Sequence, residues 1–174
     1  MKYNQQTIIQ MAMLMKTGIS NLGAILHPKK KIFPKHFYLL KFDGCSKGNP
    51  GMAAAGAVLY KNEIEIWSGG KFLGYNETNN YAEYMGLIMG LSKAIELQIT
   101  ELAVEGDSML IIKQMNGKNA VRSSNISELH KLAMELKLKF KHIIFNHVYR
   151  ECNKRADELC NKEIEKILAM DKYM

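Results

Sequence analysis

Four carboxylates in this 174-residue chain, Asp43, Glu83, Asp107 and Asp157, share one kind of local setting, each standing where a strand ends or a helix begins. Asp43 closes the run F-Y-L-L-K-F and leads into a turn built from Gly44, Gly48, Asn49, Pro50 and Gly51. Alternation along that run puts Tyr38, Leu40 and Phe42 on one face and Phe37, Leu39, Lys41 and Asp43 on the other, so Asp43 is expected among buried groups. A carboxylate there is costly unless something pairs with it. If the strands before Asp43 and Asp107 are parallel neighbours and the helices pack on the sheet, all four acids converge. Four unpaired carboxylates at one spot repel one another and titrate abnormally. Hard divalent cations with oxygen ligands relieve that repulsion, which points to Mg²⁺.

Three of these acids also have a purely structural reading. Asp43 suits an Asx turn at the head of the Gly/Asn/Pro loop. Asn80 followed three places on by Glu83 has the form of a capping box, and Asp107 suits the positive end of a helix dipole.

The elements that must position them follow from periodicity. After the first strand, Ala53 to Tyr60 and Glu63 to Ser68 read as a hairpin about Lys61-Asn62, with Ile64 and Ile66 alternating and Gly70 to Tyr75 extending the meander. Strands joined by short turns are antiparallel. Tyr84, Leu87, Ile88, Leu91 and Ile95 follow helical spacing. Ile99 to Gly106 reads as a strand, and Ser108 opens a helix from Met109 to Met115 that Asn116-Gly117 stops. Strand, helix, strand is the crossover of parallel pairing. A further amphipathic helix spans Ser127 to Lys139, with Leu129, Leu132, Ala133, Leu136 and Phe140 inward and Lys131, Lys137, Lys139 and Lys141 forming a basic outer side, either a solvated face or a substrate contact. Ile143 to Val148 is the last strand, Tyr149 to Asn153 a loop, and Lys154 onward the closing helix. The order is β-β-β-α-β-α-α-β-α.

Composition bounds the rest. The length suits one domain plus an appendage, and 47% hydrophobic with 24% charged residues is ordinary for a globular chain. No apolar run reaches bilayer length. Cys45, Cys152 and Cys160 have no C-x-x-C spacing, so reduced thiols inside a cell are expected and a zinc site is not. The net charge of +7 is concentrated at one end: residues 1 to 42 hold seven lysines and no acid, and the remaining 17 basic residues balance all 17 acidic ones. Residues 1 to 36 therefore read as a basic extension ahead of a near-neutral domain at 37 to 174, either an arm for a polyanion or a targeting segment.

The blocks D-G-C-S-K-G-N-P-G, T-N-N-Y-A-E, E-G-D-S and R-E-C-N-K-R-A-D-E-L, in this order over residues 37 to 168, resemble type 1 ribonuclease H, in its compact subgroup without a basic protrusion. The resemblance implies an α/β fold, a mixed five-stranded sheet of three antiparallel strands followed by two parallel ones, flanked by helices. It implies an endonuclease that cuts the RNA strand of an RNA–DNA hybrid and leaves 5′-phosphate and 3′-hydroxyl ends. Asp43, Glu83, Asp107 and Asp157 would hold two Mg²⁺ or Mn²⁺ ions roughly 4 Å apart, Asp43 bridging. Gly48, Asn49 and Asn79 match positions that read the RNA minor groove and its 2′-hydroxyls. Thr78, Asn80 and Ser108 match positions that grip the DNA-strand phosphate, and Arg150 a basic residue tied to product release. The histidine loop ahead of the last aspartate is reduced here to Y-R-E-C, with His147 expected to point from the strand, and residues 1 to 36 do not resemble the hybrid-binding domain that precedes some members. A monomer acting on hybrid without membrane attachment, cytoplasmic or organellar, is the expectation. Two alternatives stay open: a hybrid-binding module without turnover, and another nuclease on the same fold. Against a 3′–5′ exonuclease stands Cys45, where D-x-E would need its second acid.

Overall fold

A computed structural model describes residues 38–172 of the chain, so the readings made for the leader, and for Phe37, lie outside the described residues. Five strands and four helices follow in the expected order: β1 (Tyr38–Gly48), β2 (Gly51–Lys61), β3 (Ile64–Glu77), α1 (Asn79–Glu96), β4 (Glu101–Gly106), α2 (Met109–Met115), α3 (Ser124–Lys137), β5 (His142–His147) and α4 (Lys154–Asp171), with a 3₁₀ turn at Arg150–Cys152 before α4. The sheet order is β3-β2-β1-β4-β5. β1, β2 and β3 pair antiparallel, while β1–β4 and β4–β5 pair parallel, as a crossover through a helix requires.

Alternation along β1 divides the molecule into two layers of packing. Leu40 and Phe42 face the main core with Leu59 of β2, Tyr84, Leu87 and Leu91 of α1, and Ile111 of α2. Each such fully buried side chain contributes about 1.5–3 kcal/mol. On the other face, α4 lies over β1, β2 and β3, and Ala54, Cys160 and Ile164 make a second, smaller cluster against which Cys45 and Met52 pack. Arg155 fixes α4 to the sheet edge, donating from Nε and Nη2 to the two carboxylate oxygens of Glu65 at 3.0 Å each.

Several local readings change. β1 does not end at Asp43: it runs on to Gly48 in register with β2, Asp43 opposite Gly56, whereas its parallel pairing with β4 covers only Leu39 to Lys41. Asp43 therefore heads no Asx turn; it marks the place where β4 leaves β1. The hairpin turn is Asn62-Glu63, both at positive φ (51° and 70°), one residue later than Lys61-Asn62, because Lys61 pairs with Ile64 and the type I′ geometry needs both central residues left-handed. Ile64 and Ile66 alternate as read but lie at the free sheet edge, 69% and 41% exposed. α3 begins at Ser124, since its inward stripe starts at the buried Ile126 and continues through Leu129, Ala133 and Leu136; Leu132 falls off that stripe and is 42% exposed. Lys137 does not join an outer basic face, because its Nζ donates to the Met115 carbonyl at 2.9 Å and lies over the Phe145 ring.

Candidate active site

The four acids arrive from four elements. Asp43 is carried by β1, Asp107 follows the last residue of the parallel strand β4, Glu83 lies one turn into α1, and Asp157 in the first turn of α4. A crevice beyond the carboxyl ends of parallel strands is where such sheets place ligands. Gly44 brings α1 to this point: a Cβ there would lie 2.0 Å from the Glu83 backbone nitrogen, so only glycine lets the second helical turn press against β1 beside Asp43. Carboxylate oxygens of Asp43, Glu83 and Asp107 then fall within 4.8 Å of one another, and Asp43, Asp157 and Cys160 form a second such group that shares Asp43.

Glu83 is not a helix cap. Thr78 caps α1, its Oγ1 accepting from the Tyr81 N–H at 3.2 Å, and Asn80 lies inside the helix. Glu83 is 5% exposed and its Oε2 is buried without a hydrogen-bond partner. Nor does Asp107 cap α2, because Ser108 takes that role towards the Ile111 N–H. Asp107 Oδ1 instead accepts from Asn153 Nδ2 at 2.8 Å.

Burial, and then the charges of Asp107 and Asp157, push the Asp43 carboxyl up to about 7. Burial followed by the charge of Asp43 holds Glu83 well above the usual carboxylate range. Both shifts say that the cluster resists ionising by itself. One neighbour offsets it: Arg150 Nη2 donates to Asp157 Oδ1 at 2.9 Å, which raises the guanidinium's own pKa. A partnerless buried carboxylate oxygen in an all-oxygen donor set fits a hard divalent cation. The cleft over the acids has a volume of about 350 Å³ and is also bordered by Cys45, Asn79, Arg150 and Asn161.

Of the remaining expected residues, Arg150 and Asn79 border the acid cleft and the others lie around it. Asn49 and Asn79 meet, the Asn49 Oδ1 accepting from the Asn79 N–H at 3.1 Å, so the β1–β2 turn with Gly48 stands against the start of α1. Thr78 and Ser108 spend their hydroxyls on caps. Asn80 lines a separate cleft of about 540 Å³ with Lys118, Asn119, Arg122 and Ser123. His147, half-buried, has Nε2 3.1 Å from the Asp107 carbonyl oxygen and so sits behind the cluster. Three residues were not foreseen. Asn153, fully buried, donates to both Phe42 O and Asp107 Oδ1; its only sequence signal is a position just before the closing helix. Lys118 and Arg122 lie in a short polar loop whose spacing carries no motif.

A mixed sheet in the order β3-β2-β1-β4-β5 with acids clustered where β4 departs from β1 is the arrangement of the ribonuclease H fold. Residues 41–163 match the family described as reverse transcriptase-like, and the chain belongs to that family. It is 38% identical over 128 residues to the bifunctional protein Rv2228c of Mycobacterium tuberculosis, covering 73% of this chain and 35% of that one. It is likewise 38% identical over 125 residues to ribonuclease HI of Halobacterium salinarum, covering 71% and 62%. The chain thus spans about a third of the mycobacterial relative and under two thirds of the archaeal one. The solved N-terminal ribonuclease H domain of Rv2228c superposes with a TM-score of 0.74 at 35% identity, over 78% of this chain and 99% of that one. LC11-RNase H1, solved in complex with an RNA/DNA hybrid, superposes with a TM-score of 0.71 at 32% identity, over 75% and 99%. No helix among the described residues is long and apolar enough to cross a membrane.

Proposed function

We propose that this chain is an endonuclease that hydrolyses the RNA strand of RNA–DNA hybrids, using two divalent cations, Mg²⁺ in the first instance, and leaving 5′-phosphate and 3′-hydroxyl ends. The observation that carries this reading is the meeting of Asp43, Glu83 and Asp107 oxygens within 4.8 Å, with one Glu83 oxygen buried and partnerless. Asp43 belongs to both donor groups and suits a bridging ligand, with Glu83 and Asp107 in one group and Asp157 in the other. When bound, cations there supply activation of a water and stabilisation of the leaving oxygen. The chain itself contributes fixed placement: Asn153 holds Asp107, Gly44 seats α1, and Arg150 neutralises Asp157 until substrate and ions arrive.

For the substrate, Gly48, Asn49 and Asn79 form one polar corner beside the acids, suited to sugar hydroxyls of the RNA strand. Asn80, Lys118 and Arg122 in the neighbouring cleft suit phosphates of the other strand, with the caps at Thr78 and Ser108 supporting helix N-termini there. We take residues 37–174 as the catalytic domain, acting as a monomer inside the cell, and residues 1–36 as a basic arm adding nonspecific affinity. The free thiols of Cys45, Cys152 and Cys160 accord with a reducing setting.

The test is cleavage of an end-labelled hybrid with Mg²⁺, with EDTA, and with the Asp107→Asn variant. Internal cuts in the RNA strand alone, abolished in both controls, are expected. An exonucleolytic ladder, cutting of duplex RNA, or activity in EDTA overturns the proposal.

A further inference from the structure

The floor of the acid cleft contains sulfur. Cys160, one turn after Asp157 in α4, is fully buried, with Sγ 3.6 Å from Asp43 Oδ2 and 3.2 Å from the Asp157 carbonyl oxygen. Cys45 follows Asp43 by two residues and so shares its face of β1. It packs against the cluster containing Cys160. Ligand atoms of Asp43, Asp157 and Cys160 all lie within 4.8 Å of one another.

We propose that Cys160, Asp43 and Asp157, with Cys45 as the fourth donor, form a site for a thiophilic divalent cation of the Zn²⁺ or Cd²⁺ class. Two sulfurs and two carboxylate oxygens supply the four ligands such an ion takes. Zinc–sulfur and zinc–oxygen bonds of about 2.3 and 2.1 Å at a tetrahedral angle put the two ligand atoms about 3.6 Å apart. The Cys160–Asp43 contact has that separation, 3.6 Å, before any ion binds. Mg²⁺ prefers oxygen ligands and leaves the sulfurs unused, so a thiophilic ion competes with it for Asp43 and Asp157. On binding, the Cys160 and Cys45 thiols each give a proton to solvent and the two thiolate sulfurs take the ion.

Asp43 belongs to both donor groups. A thiophilic ion therefore takes the Asp43 and Asp157 oxygens that the second Mg²⁺ needs, and Zn²⁺ acts as an inhibitor that excess Mg²⁺ relieves. That consequence rests on the nuclease reading; the binding does not.

The experiment titrates the full-length protein with Cd²⁺ alone, in a non-thiol reductant, and follows the ultraviolet sulfur-to-cadmium charge-transfer absorption. Saturation at one ion per chain is expected. Cys160→Ala should abolish most of the band and weaken Cd²⁺ at least about tenfold, Cys45→Ser should weaken it less, and Cys152→Ser, which changes an exposed thiol, should leave it unaltered. Cys160→Ser, close in volume, serves if the alanine variant does not fold. A band and affinity unchanged in folded Cys160 variants, or lost only with Cys152, overturns the assignment. In parallel, Zn²⁺ inhibition is expressed relative to each variant's own Mg²⁺-supported cleavage rate and should fall in the Cys160 variants. Cd²⁺ binding through Cys160 in a protein that cleaves no hybrid would leave this site standing and remove the nuclease reading.

Discussion

The side-chain amide of Asn153 joins two strands at the acid cluster: its Nδ2 lies 2.8 Å from both Asp107 Oδ1 and the Phe42 carbonyl oxygen. Phe42 precedes Asp43, so one buried group at the start of α4 sets the spacing between the acids of β1 and β4. Asn153→Ala removes both bonds and strands a buried carbonyl, at a cost of about 1–3 kcal/mol. It also frees Asp107, and loss of such a supporting partner typically weakens metal binding roughly 10–100-fold. Thermal melts and Mg²⁺ calorimetry check the two effects separately. A folded variant with unchanged Mg²⁺ affinity would show that Asn153 is only a structural tie.

Arg150 competes with any cation for Asp157, because its guanidinium already pairs with Oδ1 at 2.9 Å from a 75% exposed position. Arg150→Ala should leave stability within about 1 kcal/mol, as exposed ion pairs do, while lowering the Mg²⁺ concentration for half-maximal cleavage. If Arg150 also helps product leave, kcat falls as the Mg²⁺ requirement falls. Steady-state and single-turnover rates at several Mg²⁺ levels resolve the two.

The carboxyl of Asp43, raised to about 7 by burial and its acidic neighbours, holds a proton in the folded protein that the unfolded chain releases. Metal-free stability should therefore fall as pH rises from about 4 to about 7 and level off above, by an amount of the order of a few kcal/mol. Glu83, also raised, adds in the same direction. Melting in EDTA at about pH 5 and about pH 8 measures the slope, which Asp43→Asn should reduce. Mg²⁺ should stabilise more at the higher pH, where it replaces the missing proton. A slope identical in the asparagine variant would assign the effect elsewhere.

Gly44→Ala tests how β1 and α1 meet. The added Cβ would lie 2.0 Å from the Glu83 nitrogen and 2.2 Å from the Ala82 carbonyl carbon, both backbone atoms that cannot rotate away. α1 must shift, costing about 2–3 kcal/mol and moving Glu83 away from Asp43. Cleavage should drop at temperatures where circular dichroism still reports a folded protein; retained activity there would show that the Glu83 position tolerates the shift.

A chain starting near Pro34 lacks five of the seven lysines of residues 1–42, Lys2, Lys16, Lys29, Lys30 and Lys31, and keeps Lys35 and Lys41. If those lysines contact phosphates, hybrid binding weakens and the slope of log affinity against log salt becomes shallower. An unchanged slope rejects the proposed arm.

Element order, the parallel crossover and the elements that carry the four acids were legible in the residues, because strand and helix periods and their Gly, Asn and Ser stops are short-range properties. Local patterns misplaced what depends on neighbours: the Asn80–Glu83 spacing imitates a capping box, but Thr78 is the cap and Glu83 turns to the acid cluster. Asp43 looked like a strand end because its surroundings are turn-formers, whereas pairing with β2 carries the strand to Gly48. The spacing of Cys45 and Cys160 announces nothing, and they become neighbours only once α4 folds back over β1 and β2. Sequence determined which groups could do chemistry and on what elements they ride. Tertiary structure decided which of them meet, since contacts between residues far apart in the chain are set by strand order and by close approaches such as Gly44 on Glu83, which no local period encodes.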